Sequence, residues 1–249
     1  MRPTSNAEIR ATSPRALVTA IGAGPDGYRC LPGLAAVDAE SRAGRLTFLR
    51  SLRERSVEGV VCVTSDAHGG LGRAPEEIFS GAAWQRPIVH LMCNATSCAP
   101  TRQKRTAVLA ILRAVFDEED PAPVREPYHL ACDETAGFCP KASALPEEAE
   151  TDALVYSGFP YAHHKRLRTN NVQKRANREP MRRSRAVQAL LSRRSLIRML
   201  GAVFAEMDED WASRHWFTED STAKACGMML EWNDDRILGD YTNNRNTAL

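Results

Sequence analysis

The chain has 249 residues, 43% hydrophobic and 26% charged, enough to bury one sizeable core or two small ones. No run approaches the roughly 20 apolar residues of a membrane span, and MRPTSNAEIRATSPRAL at the start has no apolar signal core, so membrane and secreted classes are not expected. The net charge is only +2, and the seven scattered cysteines, an odd number, point to a reducing cytoplasm rather than a disulfide framework.

In chain order, RALVTAIGAG reads as a strand over 16–22, Pro25-Asp26-Gly27 as a turn and YRCLPGLAAV as a returning strand. SRAGRLTFLRSLRERSV sets Leu46, Leu49 and Leu52 on one helical face. GVVCVT, 59–64, is a continuous apolar run of the kind expected for a strand covered on both faces. LGRAPEEIF predicts a short helix, and AAWQRPIVHLM an element with strand character. TAVLAILRAVF is amphipathic through Val108, Leu109, Leu112, Val115 and Phe116. An acidic, proline-bearing linker follows, and the segment from Arg182 to Trp211 repeats the helical pattern through Leu190, Ile197, Leu200 and Phe204. The division expected is an α/β core over 1–104, a helical insertion over 105–160 and a basic helical part over 161–249 that completes the core.

Charge is unevenly spread. Between Lys165 and Arg198 stand twelve Lys or Arg against one acid, Glu179, whereas acids collect in FDEEDP and PEEAETD. A solvated helix face is the ordinary explanation of a basic run. This density favours a polyanion as partner, because each cation set against a phosphate releases counterions. The candidate contacts are Lys165, Arg166, Arg168, Arg175, Arg178, Arg182, Arg183 and Arg185. His129, Cys132 and Cys139 are close in sequence, but their spacing fits no paired zinc pattern and they read as free side chains.

The stretch VCVTSDAHGGL ends an apolar run on Ser65-Asp66-Ala67-His68 and two glycines. Taken alone, Asp66 could cap a following helix across Gly69-Gly70. The longer stretch TSDAHGGLGRAPEEIFSGAAWQRPIVHLMCN resembles the core of mutator-type transposases of bacterial insertion sequences. In that family a strand ends in Ser-Asp-Ala-His, and Trp-Gln-Arg-Cys-x-Val-His-x-x-Arg-Asn comes later. Here Ser65, Asp66, His68, Leu71, Trp84, Gln85, Arg86, Val89, His90 and Asn94 stand in that order. SRAGRLTFLRSLRERSVEGV is similar to the helix leading into the strand. FPYAHHKRLRTNNVQKRANREPMRRS resembles the family's Phe-Pro, His and Thr-Asn-x-x-Glu-Arg-x-Asn followed by a basic run, with Asn177 matching the last Asn. RSLIRMLGAVFAEMDEDWA resembles its closing helix, so the likeness covers about residues 15 to 215.

The resemblance implies a ribonuclease H-like α/β fold and cytoplasmic, nucleoid-associated DNA strand cleavage and transfer. Two Mg²⁺ ions held by three carboxylates would activate the attacking oxygen and stabilise the leaving one. Asp66 corresponds to the second of those carboxylates and would be both catalytic and metal-binding.

The sequence departs from the family at the other two. The first carboxylate lies in a segment like Leu-Asp-Ala-Thr-Tyr ahead of the strand at 16–22, where this chain has MRPTSNAEIRAT and no aspartate. Asp26, in the turn, and Asp38, in a region that is not catalytic, are poor substitutes. The third falls on Lys174 or Gln173, according to whether Arg175-x-Asn177 or Thr169-Asn170 is aligned; neither residue suits a cation site. Glu179 matches a different family glutamate, and Pro180 would break a helix there unless the helix begins at it. Pro87 replaces the family's Cys, and Cys93 its Arg.

The family also carries an upstream helical region that recognises element ends, and this chain starts too late for it. The expectation is therefore a truncated ribonuclease H-like fold, its first strand missing, in a copy that does not cleave. The alternative is a non-catalytic remnant that binds DNA, or an inhibitor that pairs with intact transposase or with itself. No nucleophile-and-base constellation supports an unrelated hydrolase, and His163-His164 is expected on a basic surface. Without the first strand, the hairpin at 16–37 should pair with 59–64 or recruit a stub near Glu8-Ile9-Arg10.

Overall fold

The computed structural model describes residues 15–38, 42–66, 74–117, 123–187 and 193–228. Strands β1 (Arg15–Ala23) and β2 (Arg29–Asp38) form an antiparallel hairpin with a bulge between Ala20 and Gly22. Alternation along β1 decides what each face meets. Val18 and Ala20 join the cluster built on α1 (Arg42–Glu54), whereas Thr19 turns to the opposite side and is buried. On α1, Phe48, Leu49 and Leu52 are buried against the hairpin. Gly33 permits that contact, since a Cβ there would stand 2.5 Å from Leu52 Cδ2.

The second sheet is smaller. Strand β3 (Cys62–Thr64) pairs in parallel with β4 (Ala83–Gln85), and the short helix α2 (Ala74–Ile78) lies between them in sequence. Only three residues of the apolar run are strand, and they are half-buried rather than covered on both faces. Val60 and Val63 pack with the α1 cluster, and Val61 and Cys62 pack beside Ala83 and Phe159.

The stretch expected to continue as a strand turns helical. Pro87, fully buried, has no N–H for the ladder and stands as the N-cap of α3 (Ile88–Ser97), which buries Ile88, Leu91 and Ala95. The expected acidic linker is also helical beyond Val124. Helix α4 (Arg102–Asp117) is followed by α5 (Arg125–Phe138) and α6 (Pro140–Ala153), which pack with α3 around Leu112, Tyr128, Ala142 and Ala149. The buried face of α6 is Ala142, Ser143, Pro146, Ala149 and Ala153, a helical spacing of small side chains with almost no hydrophobic signature.

A 3-10 turn at Val155–Gly158 leads to α7 (Tyr161–Leu167), α8 (Asn171–Val187) and α9 (Arg193–Trp211). Contrary to expectation, α8 runs through Pro180, which offers no N–H toward Ala176. Helical residues 219–228 close the described chain. His163 is buried rather than on a basic surface: it stacks on Phe217 at 3.9 Å between centroids and hydrogen-bonds Ser221 Oγ at 2.7 Å. Burial pushes its pKa below the usual histidine value.

The architecture is α/β, mostly helical, with two two-stranded sheets. The hairpin shares a core with β3 but makes no ladder with it among the described residues, so the expected direct pairing is not formed. The expected stub at Glu8-Ile9-Arg10 lies outside the described residues. No helix among those described is long and apolar enough to cross a membrane.

The hairpin turn also holds the far end of the chain. Gly27 has φ +78, and its carbonyl accepts from Trp216 N at 2.9 Å and Phe217 N at 3.0 Å. A Cβ on Gly27 would lie 2.1 Å from the Phe217 carbonyl oxygen, a backbone atom that has to move. Gly27→Ala is expected to destabilise the protein by at least the roughly 1–2 kcal/mol of a left-handed L-residue, read from urea unfolding midpoints. A variant as stable as the parent would contradict this junction.

Candidate functional site

Asp66 follows the end of β3, and the elements around it are held there by backbone contacts. Thr64 Oγ1 donates to Leu167 O at 2.8 Å, and Ile88 N donates to Arg168 O at 2.9 Å. These bonds dock the α7–α8 connection against β3 and the start of α3. Asn170 is thereby delivered next to His90.

His90 Nε2 lies 3.1 Å from Asp66 Oδ1 and 2.9 Å from Asn170 Nδ2. The first contact is an ion-pair approach without an aligned hydrogen bond, because Asp66 Oδ1 is buried and has no aligned donor. Asn170 Oδ1 is likewise buried without a partner. An Asn170 amide turned by half a rotation would present its Oδ1 to His90 Nε2 as an acceptor.

One turn further along α8, the face toward β1 is amide-rich. Gln173 Nε2 donates to Thr19 O at 2.6 Å and also meets Thr19 Oγ1, which in turn donates to Asn177 Oδ1 at 3.2 Å. Lys174, the other position aligned with the family's third acid, is exposed. Glu179 is bound to Arg182 and Arg183, whose hydrogen bonds hold its carboxyl down to about 2. Asp26 sits in the hairpin turn and accepts from Tyr28 N at 3.1 Å.

A two-cation site needs several carboxylates around one point. Among the described residues no three His, Cys, Asp or Glu converge, and Asp66 faces a histidine and an amide instead. That donor set does not fit a pair of Mg²⁺ ions. His129 does not approach the cysteines as a ligand set either: it pairs with Glu150 at 3.0 Å, while Cys132 and Cys139 are buried in the helical core.

The other motif residues serve packing. Trp84 Nε1 donates to Ser65 O at 3.2 Å and Ser65 Oγ at 3.0 Å, fixing the residue before Asp66. Gln85 is fully buried; its Nε2 donates to Arg86 O at 2.6 Å and Ala153 O at 2.9 Å, and its Oε1 accepts from Tyr156 N at 2.7 Å. Arg86 lies over the Trp84 ring and pairs with Asp152 at 3.3 Å. Asn94 is exposed on α3, and His68 lies outside the described residues.

The eight candidate cations divide into groups. Lys165, Arg166, Arg168 and Arg175 line one cavity. Arg178 is exposed on α8. Arg182 pairs with Glu179 at 2.7 Å, and Arg183 with Glu179 and Glu206, both at 3.0 Å. The side chain of Arg185 is outside the described residues.

Residues 6–214 match the family described as Transposase, Mutator family. The chain belongs to the Mutator family of transposases. The transposase of insertion element IS1081 from Mycobacterium tuberculosis is 35% identical over 192 residues, 77% of this chain and 46% of that protein. The IS406 transposase of Burkholderia multivorans is 32% identical over 196 residues, 79% of this chain and 50% of the relative. The IS256 transposase of transposon Tn4001 from Staphylococcus aureus is 30% identical over 196 residues, with 77% and 49% covered. The chain thus spans about half the length of these curated relatives.

Within this Mutator-family chain, Gln85 offers a clean test of the packing roles. Gln85→Leu strands a buried N–H at Tyr156, a buried carbonyl at Ala153 and a part-buried one at Arg86. At about 1–3 kcal/mol for each group left unsatisfied, the loss in stability should reach about 3 kcal/mol or more by chemical denaturation. A loss below about 1 kcal/mol would mean the network is replaced at little cost.

Proposed function

We propose that this chain is a DNA-binding member of its family that does not cleave DNA. The observation that supports the reading best is the isolation of Asp66: its neighbours are His90 and Asn170, and the α8 face beyond them carries Gln173 and Asn177. Without other carboxylates the reacting phosphate would have no pair of cations to carry its charge in an in-line displacement. The element order, a hairpin, a helix and a parallel pair with Asp66 just past β3, favours a ribonuclease H-like core. A strand between the hairpin and β3 would join the two sheets into the layout that the resemblance implies.

DNA contact would rest on the basic part. Lys165, Arg175 and Arg178 are exposed and have no ion-pair partner among the described residues. Arg182 and Arg183 must first leave their carboxylates and would contribute less. Such contacts are to phosphates, so affinity should vary little with sequence.

A second reading is favoured by the edges of β1 and β3, which are unpaired among the described residues. Open edges recruit further strands, and association with an intact transposase through the shared core would make the chain an inhibitor.

Purified protein is expected to show no Mg²⁺- or Mn²⁺-dependent cleavage of element-end DNA; cleavage abolished by Asp66→Ala would overturn the non-cleaving reading. Binding of labelled duplex should weaken steeply with salt, log K falling by about 0.9 per phosphate neutralised. Replacing Lys165, Arg175 and Arg178 together by alanine should flatten that slope by up to roughly three contacts, and Arg182→Ala with Arg183→Ala by less. Salt-independent or absent binding by the unmodified chain would rule out the DNA reading.

A further inference from the structure

The basic run in the sequence accounts for only part of the positive charge that the fold gathers. A cavity of about 1720 Å³ is lined by seven Lys or Arg and a single acid, Asp117. Three of those cations, Arg29 on β2, Arg125 on α5 and Arg214 beyond α9, come from outside the 165–198 run.

Arg29 is the unusual member. Its guanidinium carbon stands 4.7 Å from the ring centre of Trp211 and 5.0 Å from that of Trp216. Arg166 reaches the same Trp216 ring at 5.9 Å and the Phe217 ring at 4.9 Å. Two guanidinium groups therefore share one indole. The Arg29 Nε–H is buried and has no acceptor, and neither arginine has an ion pair among the described residues. Arg182 and Arg183, by contrast, each have a carboxylate. Burial and the charge of Arg166 both press the Arg29 pKa below its ordinary value. A fold that holds two like charges together, with a donor left unsatisfied, is short of an anion.

The wall behind them is fixed. Gly27 O accepts from both Trp216 N and Phe217 N, Asp208 Oδ1 accepts from Leu31 N at 2.7 Å, and the Tyr28 and His215 rings lie 3.9 Å apart. Arg29 packs on two indoles and Arg166 on Trp216 and Phe217, so part of their rotamer freedom is already lost before binding.

We propose that this cavity is a phosphate site, in which Arg29 and Arg166 clamp one backbone phosphate of a nucleic-acid strand against Trp216. This assignment rests on the DNA reading above and adds to it Arg29 and Trp216, which lie outside the basic run. The phosphate would take the orphaned Arg29 Nε–H, relieve the repulsion between the two arginines and accept charge-assisted hydrogen bonds from both.

The test compares the full chain with Arg29→Gln and Arg29→Lys. In the unmodified protein, inorganic phosphate should raise the unfolding temperature more than sodium chloride of equal ionic strength. Arg29→Gln should abolish that difference while leaving stability in chloride unchanged or higher, because repulsion is removed. Arg29→Lys, which keeps charge without the planar fork, should retain part of it. Duplex affinity should fall about tenfold in Arg29→Gln, with the salt slope reduced by about one contact.

A purely structural clamp predicts the opposite pattern: Arg29→Gln loses stability equally in chloride and phosphate, and that result overturns the proposal. A phosphate response with unaltered DNA affinity and slope would mark a free-anion site and overturn the strand assignment. If the unmodified chain binds no duplex, the DNA reading fails with the strand assignment, while the phosphate comparison still reports on the site itself.

Discussion

The buried carboxamide of Gln85 is the interaction on which the arrangement rests. Strands β3 and β4 pair over three residues, too few to form a stable sheet alone. Gln85 ends β4 and, through Ala153 and Tyr156, binds it to the end of α6 and the 3-10 turn. That turn leads into α7, whose last carbonyls at Leu167 and Arg168 are taken by Thr64 and Ile88. Thus the short sheet, the helical layer and the basic region are located relative to one another through one polar knot. In such a buried network every member must be satisfied, and here each atom of the amide that can bond does so.

The family motif is consequently mostly a scaffold. Trp84, Gln85 and Arg86 hold the strand pair, the residue before Asp66 and the end of α6. Asp66 and His90 alone of the motif face one another across the described site, and Asn170 meets the same imidazole nitrogen. Gln173 is occupied by Thr19. The polar face of α8 thereby packs on the hairpin through neutral groups, which need no counter-charge.

Positive charge shows the same division between density and availability. The run from Lys165 to Arg198 is basic throughout, yet Glu179 and Glu206 occupy Arg182 and Arg183 near its middle. Two guanidinium groups without an ion pair among the described residues meet instead at Trp216, where Arg29 joins Arg166 from the hairpin. A polyanion would meet unneutralised cations there, whereas at Arg182 and Arg183 it would compete with internal carboxylates.

The local features were legible in the sequence. The hairpin followed from its Pro-Asp-Gly turn, and α1 and α4 from apolar periodicity, because turn chemistry and helical spacing operate over a few residues. The order of motif residues was enough to indicate the family. Helix α6 was harder to see, since its buried face uses alanine, serine and proline, which pack closely but carry little hydrophobic signal. The strand expected after Gln85 turned into α3 because Pro87 cannot extend the ladder. Only the tertiary structure decided which polar groups are occupied: Gln85 meets Tyr156 across 71 positions, and Thr19 meets Asn177 across 158. Sequence alone specifies which residues can bond or carry charge, but partners that distant are selected by packing, and it is packing that sets Arg29 and Arg166 on one indole.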